Sequence, residues 1–303
     1  MNAVRLTGVT KTYGSHKAVD SLDLAIPEGS VYGFIGPNGS GKTTTIRMIL
    51  HIIHPDTGEI EVLGKHESRA SNDRIGYLPE ERGMYKKMTV KRLLTYYGSL
   101  KGMTARDAKR AGSEWMERLE LGDWLDKKIE SLSKGMAQKV QFISTVISAP
   151  ELVILDEPFS GLDPVNLEVL REAILGLREQ GSTVIFSTHD MSMAEQMCDS
   201  VFMIFRGKKV LDGTVAEIRA RYGADTIRLK VAGGREALNG IDGIDRIVDM
   251  GHMQEVRCVG DTQELLRSLL AKTSVHHFEE ATPSLHNIFV RIAGPESEEV
   301  AHV

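Results

Sequence analysis

The run Gly36–Thr44, which reads GPNGSGKTT and fits the pattern G-x-x-x-x-G-K-[ST], constrains the fold of this 303-residue chain more than any other feature. The apolar segment Val31–Ile35 before it predicts a buried strand, and Thr44–Ile53 after it predicts a helix that ends before Pro55. The glycines let the backbone curl until several N–H groups converge on phosphate oxygens at the helix N-terminus. We therefore predict a loop that binds the phosphates of ATP or GTP. An ordinary glycine-rich turn is the weaker alternative, because chance gives this pattern on the order of once in a hundred chains of this length.

Two acidic residues after a later strand extend this prediction. In the loop itself, Lys42 would reach the β- and γ-phosphates and the Thr43 hydroxyl would bind Mg²⁺. The predicted strand Leu152–Leu155 runs directly into Asp156 and Glu157. Side chains at the carboxyl ends of parallel strands point into the nucleotide crevice, so Asp156 could hold Mg²⁺ and Glu157 could orient and deprotonate the attacking water. An acidic pair after a strand is also a common structural feature, and alone these residues leave both interpretations open.

Composition excludes several classes of protein. The formal net charge of −5 gives no broad basic field, which argues against nucleic acid as a partner. Cys198 and Cys258 have no C-x-x-C spacing, so neither a disulfide framework nor a zinc site is indicated. We find no apolar run of about eighteen residues and no signal-peptide pattern at the N-terminus, and we expect that the chain neither spans nor crosses a membrane unaided.

The order of predicted elements indicates an α/β fold. Helix Ser133–Ser148, the strand at 152–155, helix Val165–Gln180 and strand Thr183–Phe186 alternate, which predicts parallel strands with helices on both faces of the sheet. Between these elements and the phosphate loop, Thr89 caps a helical stretch, so we expect a helical subdomain at about residues 89–130.

Near Tyr222-Gly223 the pattern changes, and we place a domain boundary there, giving domains of residues 1–222 and 223–303. The order β-α-β-β-α-β in the second domain is that of a ferredoxin-like, α+β arrangement. Its predicted strands are Thr226–Val231, Arg246–Asp249, Glu255–Val259 and Val275–Glu280, with helices at Arg235–Leu238 and Thr262–Leu270. A last amphipathic helix, Ser284–Ile292, precedes an acidic tail at Glu296–Val303, which we expect to be frayed.

Three further segments, Asp156–Pro164, Ser131–Met136 and Ser187–Asp190, together with the phosphate loop resemble the ABC ATPase family over residues 1 to about 220. The resemblance implies a P-loop NTPase core. It makes the phosphate loop the Walker A loop, residues 133–135 the signature loop, Asp156 and Glu157 Walker B, residues 160–163 the D-loop, and His189 the switch loop.

The resemblance also implies a set of site residues. ATP would be bound by Tyr13, stacked on adenine, and by Gly36, Pro37, Asn38, Gly39, Ser40, Gly41, Lys42, Thr43, Thr44, Glu80 at the Q-loop position, Ser133, Lys134, Gly135 and Asp163. Mg²⁺ would be held by Thr43, Glu80 and Asp156, and Glu157 and His189 would be catalytic.

For two of these residues, general physical chemistry gives a separate reason for the assignment. Ser133 can cap the helix that follows it and so complete an anion site at a helix N-terminus, although a plain cap explains the serine equally well. His189 follows a strand at the sheet edge that carries Glu157, where an imidazole could hydrogen-bond the γ-phosphate.

Two departures from the common family pattern narrow the resemblance. The signature reads Leu-Ser-Lys-Gly-Met where Leu-Ser-Gly-Gly-Gln is usual, and Glu80 stands where Gln is usual. These variants, with the ending Pro283–Phe289, resemble the ATPase subunits of bacterial ABC-2-type exporters, similar to sodium-extrusion and drug-resistance systems. Lys134 would add a cation beside the γ-phosphate.

The resemblance implies a cytoplasmic ATPase, peripheral on the inner face of the cell membrane, that drives a separate integral-membrane permease. One chain carries one Walker A loop and one signature loop, so a head-to-tail homodimer is implied. A soluble non-transport ABC ATPase is one alternative, but such proteins need insertions or a second core for which this chain has no room. An ATP-dependent regulatory module without turnover is another, and Glu157 and His189 argue against it.

We expect the permease to dock on the segment Arg82–Met88, which follows Glu80 and precedes the helical stretch. Two methionines and a tyrosine in a short polar loop are typical of an adaptable contact surface. The alternative is that Met84, Tyr85 and Met88 pack beneath the helical region.

Overall fold

The computed structural model describes residues 1–66, 73–81, 83–223 and 225–294. By their contacts these divide into two compact units, Met1–Thr214 and Val215–Val303. The strands are β1 (Asn2–Tyr13), β2 (His16–Pro27), β3 (Val31–Ile35), β4 (Thr57–Val62), β5 (Ile75–Leu78), β6 (Leu152–Asp156), β7 (Thr183–Thr188), β8 (Ser200–Phe205), β9 (Lys208–Thr214), β10 (Thr226–Val231), β11 (Ile244–Asp249), β12 (Gln254–Cys258) and β13 (Val275–Glu280). The α-helices are α1 (Lys42–Ile49), α2 (Val90–Leu100), α3 (Ala105–Arg118), α4 (Lys134–Val146), α5 (Pro164–Glu179), α6 (Met191–Met197), α7 (Val215–Tyr222), α8 (Thr262–Lys272) and α9 (Leu285–Ala293).

The first unit contains a six-stranded sheet in the order β5-β6-β7-β3-β8-β9. Neighbouring strands from β5 to β8 are parallel, and β9 is antiparallel to β8. The parallel strands are buried on both faces, which is why they read as continuous apolar runs. Val153 and Phe186 belong to the core beneath the helices, whereas Ile154 and Ile185 belong to the core that faces the antiparallel sheet β2-β1-β4. The prediction of a parallel α/β sheet is confirmed.

The helical stretch after Thr89 consists of α2 and α3, followed by short 3-10 turns at Gly122–Trp124 and Ile129–Ser131. The hydroxyls of Thr89 and Thr104 accept backbone N–H groups and so cap the two helices. A Cβ on Gly98 would lie 2.6 Å from the Ala108 side chain, so the two helices pack more closely there than larger residues would allow.

The second unit has the predicted order β-α-β-β-α-β and one antiparallel sheet, β11-β12-β10-β13. Its core includes Ile227, Leu229, Val256 and Leu269. The first predicted helix is only a 3-10 turn, Gly234–Leu238, entered through Gly233 in the left-handed conformation. The acidic tail at 296–303 lies outside the described residues.

Some element ends differ from the sequence prediction. Helix α1 starts at Lys42, two residues earlier than predicted, directly after its N-cap Gly41. It ends at Ile49, and His51 has a positive φ of 53°. The contact boundary falls before α7 rather than after it. Within the described ranges, no helix has the length and apolar character that a membrane span requires.

Candidate functional site

The phosphate loop links the end of β3 to the start of α1 at the carboxyl edge of the parallel sheet. Gly36 and Gly41 have φ of 151° and 116°, and a Cβ on them would lie 2.3 Å from the Ile204 carbonyl oxygen and 2.5 Å from that of Ala18. Glycine is therefore required at both positions by conformation and by space. Gly41 is also the N-cap of α1, and because it has no side chain, the first N–H groups of the helix remain available to an anion.

Lys42 lies beneath this loop with only 6% of its surface exposed. Its ammonium donates to the Gly36 and Pro37 carbonyl oxygens at 2.6 and 3.2 Å. Burial lowers the pKa of Lys42 from its ordinary value, while the carboxylates of Glu157, Asp156 and Glu80 oppose this shift. The lysine is thus a buried cation that faces three acids, and the phosphates of a nucleotide would supply the negative charge that stabilises it.

The two acids stand where β6 ends. Asp156 is 1% exposed; its Oδ1 accepts the Ser187 hydroxyl, and within the part of the chain that the structure describes its Oδ2 is buried without a hydrogen-bond partner. Glu157 has a φ of 49°, a left-handed conformation that is rare outside glycine and asparagine. Its Oε1 lies 3.0 Å from Nδ1 of His189, which follows β7.

A chamber of about 440 Å³ brings most of the predicted nucleotide ligands together. It is lined by Tyr13, His16, Ala18, Asn38, Gly39, Ser40, Gly41, Lys42, Thr43, Thr44, Glu80, Asp156 and Glu157. His189 joins this group through its hydrogen bond to Glu157. The chamber thus places the phosphate loop, the buried lysine and both acids around one space that a nucleotide can enter.

Six predicted ligands do not line the chamber. Gly36 and Pro37 lie at the start of the phosphate loop, where their carbonyl oxygens accept from Lys42. Ser133, Lys134, Gly135 and Asp163 lie elsewhere, and we call these four residues the signature segment. Ser133 caps α4 by accepting the Met136 N–H at 3.2 Å, and Asp163 caps α5. A Cβ on Gly135 would lie 3.2 Å from the Asn166 side chain, so the starts of α4 and α5 adjoin. In one chain, the signature segment forms a second surface feature and not a wall of the nucleotide chamber.

Three residues of the site were not predicted from the sequence: His16 and Ala18, which line the chamber, and Ser187, which contacts the two acids. His16 pairs with Tyr13 across the β1–β2 hairpin, and Ala18 follows on β2. The two-residue turn after Tyr13 was the signal that could have placed them. Ser187 was noticed only as part of a motif, yet its hydroxyl contacts both acids.

The residues of the chamber fit a magnesium ion. The unpartnered Asp156 Oδ2, the Thr43 hydroxyl and the Glu80 carboxylate share the chamber and offer only oxygen, which Mg²⁺ prefers. Among the described residues, no three His, Cys, Asp or Glu side chains could hold a metal by themselves. A cation in this chamber would therefore depend on the phosphates of the nucleotide for further ligands, as Mg²⁺ commonly does.

Two family models match the chain, "ABC transporter" at residues 19–160 and "ATP-binding protein DrrA1-3-like, C-terminal domain" at 213–293. An uncharacterized ABC transporter ATP-binding protein of Bacillus subtilis, YhaQ, is 42% identical, with 94% of this chain and 97% of that protein covered. The linearmycin resistance ATP-binding protein LnrL of B. subtilis is 32% identical (94% and 96% covered). The Nod factor export ATP-binding protein I of Sinorhizobium fredii is 30% identical (98% and 88% covered).

A solved structure of an ATP-binding subunit of an ABC transporter superposes with a TM-score of 0.68 at 27% identity, covering 73% of this chain and 93% of that one. The chain therefore belongs to the family of ABC transporter ATP-binding proteins. It binds nucleotide and has the ATPase fold of that family, whose general activity is ATP hydrolysis.

Proposed function

We propose that this chain is the ATP-hydrolysing motor of an export system, that it works as a head-to-tail homodimer, and that it drives a separate membrane permease. The observation that carries the proposal is the chamber itself, which places the phosphate loop, Lys42 and the Asp156-Glu157 pair around one space. Two relatives whose printed names concern linearmycin resistance and Nod factor export support the direction of transport.

Within the chamber each group has a distinct task. The loop N–H groups and Lys42 bind the phosphates, and Tyr13 stacks on the base. Glu157 takes a proton from the attacking water, and His189 fixes the direction of that carboxylate through the bond from Nδ1. Thr43, Glu80 and Asp156 would hold Mg²⁺, which neutralises charge on the phosphates.

The position of the signature segment supports the proposed homodimer. Its lining does not include the signature segment, although that segment offers two capped helix N-termini and the Lys134 cation on the exposed surface of the same unit. Anion sites at helix N-termini suit the outer phosphate of a nucleotide. We infer that the segment of one chain completes the chamber of a second, so that two ATP molecules lie between two chains.

A groove of about 710 Å³ beside the helical region is our candidate docking surface for the permease. Its lining includes Tyr77, Glu81, Tyr97 and Lys101, and the Tyr85 ring, 52% exposed, lies close by through Tyr96. The exposed rings of Tyr85 and Tyr96 beside this groove suit a contact with a helix or loop of a partner. Through this contact the chain would lie on the cytoplasmic, inner face of the cell membrane.

The prediction that the permease docks on Arg82–Met88 is retained only in part. Met84 and Met88 pack partly buried against the helical core, so the packing alternative holds for both methionines. Tyr85 points outward, and Arg82 lies outside the described residues. We therefore assign docking to Tyr85 and the groove, not to the methionines.

Phosphate release from ATP by the purified chain tests the ATPase proposal, with Lys42→Ala as the inactive control. Hydrolysis that needs a divalent cation and disappears in Lys42→Ala supports it. A chain that binds ATP and releases no phosphate, alone or with a co-expressed permease, would point to the regulatory alternative.

A further inference from the structure

Ser187 is a polar residue at the carboxyl edge of the parallel sheet, and the proposed function gives it no role. It lies near the end of β7, directly opposite Asp156 in the register of β6 and β7, and its exposed fraction is 0%. The β7 residues before it, Thr183–Phe186, are buried, so the packing of this strand does not by itself require a hydroxyl at position 187. A buried hydroxyl is costly unless it is hydrogen-bonded, and this one bonds twice.

The first bond orients a carboxylate. The Ser187 hydroxyl donates to Asp156 Oδ1. This bond fixes the rotation of the carboxylate and leaves Oδ2, the buried oxygen without a partner among the described residues, as the atom for a cation. A carboxylate that must hold a metal is commonly oriented by such a neighbour.

The second bond holds a strained backbone. The Glu157 N–H donates to Ser187 Oγ at 3.1 Å, one residue beyond the end of β6, where the ladder no longer pairs it. Glu157 has the left-handed φ of 49°, and a residue keeps such a conformation only where its surroundings enforce it. With this backbone conformation, Oε1 of Glu157 lies 3.0 Å from Nδ1 of His189.

We propose that Ser187 is a positioning residue: one hydroxyl orients Asp156 toward the metal and, through the Glu157 N–H, holds the general base at the reacting water. This inference rests on the proposed ATPase function. It links the metal site and the base, so the loss of one hydroxyl affects both.

The test compares three variants of the full-length chain. Ser187→Ala removes the hydroxyl and Ser187→Thr restores one. Ser182→Ala is the matched control, because Ser182 is a buried serine just before the same strand whose hydroxyl donates to the Pro150 carbonyl oxygen at 2.8 Å. If Ser187→Ala does not fold, Ser187→Cys, a weak donor of similar size, takes its place.

We expect Ser187→Ala to lower kcat and to raise the half-saturating Mg²⁺ concentration by about 10-fold or more, the usual cost of losing a partner of a metal ligand. ATP binding in EDTA should stay unchanged, Ser187→Thr should recover part of the loss, and Ser182→Ala should behave as wild type. Normal kcat and Mg²⁺ dependence in Ser187→Ala, or an equal change in Ser182→Ala, would overturn the inference.

A binding readout separates this inference from the proposed function. Free Mn²⁺ is measured by electron paramagnetic resonance with ATP, using Glu157→Gln chains that do or do not carry Ser187→Ala. Weaker Mn²⁺ binding in the double variant supports the positioning role. Equal binding would refute the claim that Ser187 orients Asp156 toward the metal. If wild type itself hydrolyses no ATP, the proposed function fails, whatever the Mn²⁺ result.

Discussion

The nucleotide chamber and the signature segment belong to one folded unit and differ in how their functional groups are held. In the chamber, Asp156 and Lys42 are almost fully buried and bonded to their own chain. In the signature segment, Ser133, Lys134 and Asp163 are exposed, and two of them serve as helix caps. Charged groups whose partners lie in the same chain can be buried, whereas groups whose proposed partner lies in a second chain must stay at the surface.

The largest effect should come from the chamber. Glu157→Gln keeps the shape of the side chain and removes the base, so we expect kcat to fall by about 10²- to 10⁴-fold, with ATP affinity nearly unchanged. Phosphate release and equilibrium nucleotide binding measure the two quantities. Near wild-type turnover would show that Glu157 is not the general base.

The signature segment should give a smaller effect that depends on the second chain. Ser133→Asp keeps a good helix cap but adds a negative charge where the γ-phosphate would lie, so we expect ATP binding by the monomer to persist and turnover to fall at least 10-fold. Ser284→Asp is the matched control, since Ser284 caps α9 through the same 3.2 Å bond.

Mixing two impaired variants tests whether the signature segment acts on the other chain of the dimer. Lys42→Ala chains combined with Ser133→Asp chains should form dimers with one intact site and recover activity above either variant alone. No recovery at any ratio, in dimers shown to form, would mean that the segment acts within its own chain or that one site cannot turn over alone.

Substitution of Tyr85 beside the groove should weaken the coupling of ATP hydrolysis to the permease and leave hydrolysis itself unchanged. We expect Tyr85→Asp to keep basal ATP hydrolysis while permease binding and export fall, because the ring is exposed. Met88→Asp serves as contrast: it places a charge in a packed position and should lower the free energy of unfolding by about 1 to 3 kcal/mol. Loss of basal activity in a folded Tyr85→Asp chain, without the permease, would contradict the docking assignment.

The smallest effect on the chamber should come from removing the second unit. A chain ending after Thr214 keeps every residue of the chamber, so we expect its ATP affinity to match that of the full chain. A chain ending after Tyr222 keeps α7 without its own unit and should be the less stable of the two by thermal unfolding. Loss of nucleotide binding in a folded chain ending at 214 would show that the boundary is misplaced.

The sequence predicted those features that lie close together along the chain. The phosphate loop, the acids after β6 and the caps at Thr89 and Ser133 each depend on a few neighbouring residues, and the order of elements then leads to the sheet. Features that depend on pairing between distant segments stayed hidden. The contact of Ser187 with Asp156, for example, follows from the register of β6 and β7. The pairing of His16 with Tyr13 is local, and it was missed because the hairpin of β1 and β2 was not predicted.

Local conformation accounts for the remaining errors. Helix α1 begins inside the loop, at Lys42, because its N-cap is Gly41, whose left-handed φ of 116° leaves no trace in the apolar pattern. The helix expected at 235–238 is a 3-10 turn, because five residues after a left-handed glycine leave little room for α-helical turns.

The central claim is that the signature segment of one chain completes the chamber of another, and the mass of the Glu157→Gln chain with ATP and Mg²⁺ tests it most directly. Light scattering after size exclusion should give twice the chain mass of 33.5 kDa with nucleotide and the single mass without it. Adding Ser133→Asp should return the chain to monomer, while Ser284→Asp should not. A Glu157→Gln chain that binds ATP and stays monomeric at every protein concentration would contradict the account.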